Sequence, residues 1–160
     1  AGGYTMPLPE KDEMYLTKGK MLQDIVVCLG GRIAESLVFD DVTTGAVQDI
    51  RQATERARDM VTKYGFSDEL GMINYSTSDD EVFIGREIGH AKNFSEGTAA
   101  VIDQEVKRII ESCREKATKI LKENRKVLDK LAELLIEKER IGQQEFEALF
   151  EQNDETIEEM

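Results

Sequence analysis

The sequence predicts a mainly α-helical bundle, and three features carry that expectation. Apolar residues recur every three to four positions through residues 17–39, 43–64 and 95–138, the period that lines one helix face. Thr43, Thr44 and Ser95 stand where helices would begin, and their side-chain oxygens can accept from first-turn N–H groups. Hydrophobic residues at 40% against charged residues at 34% suit a helix-rich globule with a solvated outer face.

Residues 2–8 (Gly2-Gly3-Tyr4-Thr5-Met6-Pro7-Leu8) are too short and too marked by Gly and Pro for a helix. A short strand is expected there, at a sheet edge because Pro7 has no N–H to donate. The first helix spans 17–39, with Met21, Leu22, Ile25, Val26, Leu29, Ile33 and Leu37 on its buried stripe. Gly30-Gly31 interrupts it at roughly 1 kcal/mol per glycine relative to alanine, which points to a backbone or helix approaching closely. The second helix begins at Thr43-Thr44-Gly45-Ala46, carries Ile50, Ala53, Ala57, Met60, Val61 and Tyr64 inward, and stops at Gly65. Residues 65–94 read as loops with one short strand. Ser95 caps a long helix whose stripe is Ile102, Val106, Ile109, Ile110, Cys113, Ala117, Ile120 and Leu121, broken at Asn124. A further helix carries Val127, Leu128, Leu131, Leu134 and Leu135 to about Lys138, completing a C-terminal αα-hairpin.

At 160 residues the chain can hold one domain, expected over residues 1–150. Residues 151–160 contain five acids and no base and read as a disordered acidic tail. A net charge of −12 disfavours nucleic acid as a partner. No apolar run approaches the ~18 residues that a membrane helix needs, and no signal peptide opens the chain. The absence of an initiator methionine hints at a piece of something longer. Cys28 and Cys113 read as free thiols of a reducing compartment, cytosolic or matrix-facing.

Asp49 is the acid of most chemical interest. On a helix turning ~100° per residue it falls on the rim of the buried stripe, where a carboxylate must find a cation, a donor or a metal. Periodicity alone favours the blander reading, a role in the helix dipole or pairing with Arg56. Glu35 projects from the end of the first helix, where most glutamates are simply solvated. His90 is the sole histidine. No C-x-x-C, H-x-x-x-H or H-E-x-x-H spacing exists, and Gly85-Arg86-Glu87-Ile88-Gly89 lacks the Lys-Ser/Thr of a nucleotide loop. No complete catalytic site is present in these residues.

Several segments in order resemble the peptidase domain of FtsH, the membrane-anchored AAA+ zinc metalloprotease, and its organellar relatives. They are Gly3-Tyr4-Thr5-Met6-Pro7-Leu8-Pro9, Leu29-Gly30-Gly31-Arg32-Ile33-Ala34-Glu35, Val42-Thr43-Thr44-Gly45-Ala46-Val47-Gln48-Asp49, Met60-Val61-Thr62-Lys63-Tyr64-Gly65 and Ile84-Gly85-Arg86-Glu87. The resemblance extends to about Phe150, and the L-G-G-R-x-A-E and T-T-G-A-x-x-D pair is its most specific part. It implies a Zn2+ held by two histidines of an H-E-x-x-H helix and by Asp49 as third ligand, with that motif's glutamate as general base. It implies that Glu35 accepts a hydrogen bond from a liganding histidine, and an edge strand at Gly3, Tyr4, Thr5 and Met6 that holds extended substrate.

The H-E-x-x-H helix is missing from these residues, so the 160-residue chain by itself is expected neither to hold catalytic zinc nor to cleave peptides. The resemblance further implies unfolded polypeptide substrates, a homo-hexameric parent, and ATP and Mg2+ used by a separate ATPase module. The expected location is the cytoplasmic face of the bacterial inner membrane, or a mitochondrial or plastid membrane, through transmembrane helices outside this chain. Its rivals are a non-catalytic helical scaffold or adaptor and a pseudo-protease.

Overall fold

The computed structural model describes residues 3–7, 15–76 and 94–158. Among them are five α-helices: α1 (Lys18–Phe39), α2 (Val47–Thr62), α3 (Glu96–Glu123), α4 (Arg125–Lys138) and α5 (Gln143–Glu158). A 3₁₀ turn at Thr44–Ala46 leads directly into α2. The architecture is mainly α, as the periodicity requires.

Helices α1, α2 and α3 pack against one another around a single core. From α1 come Met21, Ile25, Leu29 and Ile33, at spacings of four that keep them on one face. From α2 come Ala53, Ala57, Met60 and Val61, all fully buried. The two alanines, one turn apart, leave room for neighbouring backbones to come close. From α3 come Ile102, Val106, Ile109, Cys113 and Ala117. The stripe of α2 is shorter than predicted, since Ile50 and Tyr64 are 43% and 47% exposed. Ile120 of α3 is 44% exposed as well. Periodicity identifies a face but does not say how far along it a partner extends.

Ser95 caps as predicted, but α2 itself starts after Ala46 with no side-chain cap, because Thr43 caps the preceding 3₁₀ turn instead. Thr17 Oγ1 accepts from Lys20 N–H at the start of α1, and Ser95 Oγ accepts from Thr98 N–H at the start of α3. α2 stops at Thr62, and Gly65 follows with φ +65°, a conformation that costs glycine little. A Cβ at Gly65 would stand 3.3 Å from the Met72 backbone, so the returning chain also needs the space. Tyr75 N–H then donates to Thr62 C=O, tying that return to the end of α2.

Several expectations are corrected. Gly30 and Gly31 lie inside a continuous α1, and nothing among the described residues comes within 4 Å of a Cβ built on either. They mark no close approach among the described residues. Gly3–Pro7 are exposed and have no regular secondary structure, and no strand exists among the described residues to pair with them. A lone edge strand has no partner for its N–H and C=O groups, so Gly3, Tyr4, Thr5 and Met6 form none here. The described part of 65–94 likewise contains no strand. Asn124 kinks the chain between α3 and α4, with Leu128 N–H already donating to Asn124 C=O. One residue cannot reverse a chain, so the hairpin partner of α4 is α5, joined through Glu139–Gly142 and the Lys138–Glu145 ion pair at 2.8 Å. α5 continues to Glu158, past residue 151 where the composition predicts a disordered tail. His90 and the Ile84-Gly85-Arg86-Glu87 segment lie outside the described residues.

Cys28 and Cys113 are free thiols, as predicted. Burial pushes both above the ordinary thiol range. No helix among the described residues is long and apolar enough to cross a membrane.

Candidate metal centre

The face of α1 beside the core carries Lys20, Asp24, Cys28, Arg32 and Glu35, at spacings of four, four, four and three. Such spacings put side chains in one row along a helix. The row meets α2 and its preceding turn in reverse order. Asp24 accepts from Arg56 Nη1 at 2.7 Å, and Lys20 also pairs with Asp24 at 3.4 Å. Cys28 Sγ lies 3.9 Å from Gln52 Oε1, a weak S–H donor contact. Arg32 Nη1 donates to Thr43 C=O at 2.7 Å, and Glu35 Oε1 accepts from Thr43 N–H at 2.6 Å. The two helices therefore run antiparallel, joined by a polar seam above the apolar core.

Thr43 closes the seam. Its hydroxyl accepts from Gly45 N–H at 3.2 Å and caps the 3₁₀ turn, whose end is fixed by Val47 N–H donating to Thr44 C=O. The L-G-G-R-x-A-E segment thus grips the T-T-G-A turn by its main chain, and that turn launches the helix bearing Asp49. The two motifs singled out in the sequence form one local structure.

Asp49 stands in the first turn of α2, on the same side as Gln52 and Arg56. It is exposed and has no hydrogen-bond or ion-pair partner among the described residues. Arg56, the cation two turns away, is engaged by Asp24 and does not pair with Asp49. The pairing alternative for Asp49 is thereby removed. Asp49 lies close enough to Cys28 to act on its charge: burial pushes the Cys28 thiol up, the Arg56 cation opposes this, and the Asp49 and Asp24 carboxylates reinforce it. A thiol held protonated in this way is a poor metal ligand. Among the described residues no group of three His, Cys, Asp or Glu side chains could hold a metal ion. Along this seam, among the described residues, Asp49 is a carboxylate with no hydrogen-bond or ion-pair partner, which fits a metal as a single ligand within a larger set.

Residues 1–149 match the family model described as Peptidase family M41. The chain belongs to peptidase family M41. Its relatives include the ATP-dependent zinc metalloprotease FtsH 1 of Thermoanaerobacter sp. (strain X514), 52% identical over 154 residues that are 96% of this chain and 25% of the relative. The ATP-dependent zinc metalloprotease FtsH of Caldicellulosiruptor bescii is 53% identical over 149 residues, 93% of this chain and 24% of the relative. That of Thermotoga maritima is 43% identical over 155 residues, 97% and 25%. The chain spans about a quarter of the length of these relatives. A non-catalytic scaffold or adaptor is not favoured by this company.

Three residues of this M41 chain carry structure that the sequence pattern alone does not assign. Arg32 falls inside a motif with no role of its own, although its place three residues before Glu35 puts both on one face. Asp24 draws Arg56 away from Asp49 across 32 positions of sequence, a contact no local pattern encodes. Glu105, at 5% exposure, sits in the α3 stripe and receives Ser67 Oγ–H at 2.5 Å and Arg108 Nε–H at 2.6 Å. Its position between Ile102 and Ile109 is the signal that it points inward.

Proposed function

We propose that this M41 chain is the part of an ATP-dependent zinc endopeptidase that supplies the third zinc ligand, Asp49. The observation carrying the proposal is that Asp49 is exposed and without a polar partner among the described residues, on a seam whose neighbouring polar side chains are engaged. The printed names of the relatives, all ATP-dependent zinc metalloproteases, supply the metal and the reaction class. Two imidazoles and the general base come from an H-E-x-x-H segment outside these 160 residues, whose single histidine is His90. Zinc, when bound, lowers the pKa of a water and polarises the scissile carbonyl.

The residues of this chain hold and orient. Asp49 supplies an anionic oxygen ligand. Glu35 fixes the turn that launches the Asp49 helix, and its second carboxylate oxygen is the group proposed to accept from a liganding histidine. Gly3, Tyr4, Thr5 and Met6, exposed and free of regular structure here, hold an extended substrate by main-chain hydrogen bonds once a neighbouring strand completes the edge. The substrates are unfolded or membrane proteins. ATP and Mg2+ act in a separate module, six copies form the ring, and transmembrane helices outside this chain anchor it at the cytoplasmic face of the bacterial inner membrane. A net charge of −12 supports the absence of nucleic acid among its partners.

Zinc content and casein cleavage test the proposal. In the longer protein carrying H-E-x-x-H, Asp49→Ala abolishes cleavage and weakens zinc binding to what the two imidazoles retain, and the 160-residue chain by itself shows neither zinc nor cleavage. Zinc-dependent casein cleavage by the isolated chain, abolished by Asp49→Ala, would overturn the division of the site.

A further inference from the structure

Arg32 has a place in the seam that the zinc-ligand reading does not use. Its guanidinium Nη1 donates to the carbonyl of Thr43, whose N–H is held by Glu35 and whose hydroxyl accepts from Gly45 N–H. Every polar group of Thr43 is therefore engaged, and its two main-chain groups are held by α1 from the two flanking peptide units. These bonds lie near the surface, where water competes, so they contribute modestly to global stability. What they set is position. Farther along, α2 is fixed in the core by Ala53, Ala57, Met60 and Val61, whereas its residues from Val47 to Ile50 are exposed. Thr43 and the buried Ala46 hold that end of the helix. From Thr43 the chain runs through the 3₁₀ turn into α2 without an irregular residue, so a shift at Thr43 is passed to Asp49.

We propose that Arg32 is a positioning residue for Asp49. It locks the Thr43 carbonyl so that the Asp49 carboxylate meets the metal in one orientation. The inference rests on the zinc-ligand reading of Asp49 and adds a residue to it. Arginine suits this role because its planar fork aims an N–H at the carbonyl in a fixed geometry and keeps its charge at any working pH.

Zinc affinity of the longer protein, measured by chelator competition, tests it across Arg32→Ala, Arg32→Lys, Asp49→Ala and the double variant. Arg32→Ala is expected to weaken zinc roughly 10–100-fold, the usual loss for a residue that orients a ligand. Arg32→Lys keeps a donor for the carbonyl and recovers most of that loss. In the Asp49→Ala background, Arg32→Ala adds nothing, because the ligand it orients is gone. An affinity within twofold of the parent for Arg32→Ala, or an equal loss in the Asp49→Ala background, overturns the inference while leaving Asp49 as ligand. If Asp49→Ala leaves zinc unchanged, the ligand reading itself fails and this inference with it. Independently of metal, hydrogen exchange in the 160-residue chain should quicken at the Thr43 and Gly45 amides in Arg32→Ala, with the Leu29 and Ile33 amides unchanged. Unchanged exchange at Thr43 and Gly45 likewise refutes it.

Discussion

Glu105→Ala removes a carboxylate that is 5% exposed in the middle of the α3 stripe, where it ties the chain after α2 to the core. Ser67, 1% exposed, donates its hydroxyl to Glu105 Oε1, and Leu70 N–H reaches Ser67 Oγ at 3.4 Å. Arg108 holds the Glu105 carboxyl below the usual carboxylate range through its hydrogen bond; burial opposes this, and the Ser67 hydrogen bond adds to it. The two partners differ in what their loss costs. Ser67 would be left buried without an acceptor, at about 1–3 kcal/mol. The Arg108 side chain is 59% exposed and can turn to water, so losing its pairing costs about 0–1 kcal/mol. Together these give roughly 1–4 kcal/mol for Glu105→Ala and no more than about 1 kcal/mol for Arg108→Ala. The assay is urea unfolding of the 160-residue chain at neutral pH. A folded pKa that is depressed contributes stability above the unfolded pKa, near 4.3, and loses it as pH falls through the folded value. The difference between parent and Glu105→Gln should therefore shrink below about pH 4. Equal costs for Glu105→Ala and Arg108→Ala, or a Glu105→Gln difference that grows in acid, would contradict this division between buried and exposed partner.

Gly31→Ala should stabilise the chain by about 0.5–1 kcal/mol, since α1 is continuous there and nothing among the described residues meets the added Cβ; a lowered unfolding midpoint would reveal a close neighbour. Ala57→Leu places a large side chain where α2 is fully buried and should cost about 1–3 kcal/mol or more; calorimetry reads the drop, and an unchanged midpoint would mean the α1–α2–α3 interface is loose. Ser95→Ala removes the α3 cap and should cost about 1 kcal/mol, detectable by the same means, with Ser95→Gly losing less.

The apolar stripes of α1 and α3 are legible because residues such as Ile25, Leu29, Ile102 and Ile109 keep the helical period and touch partners along most of it. Ile50, Tyr64 and Ile120 fit the same period and are nonetheless 43–47% exposed, since the period does not report where the neighbouring helix stops. Gly30-Gly31 misleads for a related reason: glycine permits close approach without requiring it. For the site, the sequence supplies Asp49 and Glu35 as candidates but not their relation. Glu35 reaches a main-chain N–H eight residues away and Arg32 a main-chain carbonyl eleven away, contacts with a backbone that carry no signature in the partner's side chain. The availability of Asp49 depends on Asp24 holding Arg56, which only the antiparallel packing of α1 on α2 brings about.

Cobalt substitution of the longer protein bearing Asp49→Cys reads the ligand at that position spectroscopically. A thiolate bound to the metal gives an intense sulfur-to-cobalt charge-transfer band that a carboxylate does not. With Asp49 as a zinc ligand, the band is expected in Asp49→Cys and absent from the parent. Full cobalt occupancy in Asp49→Cys without the band would show that residue 49 does not reach the metal.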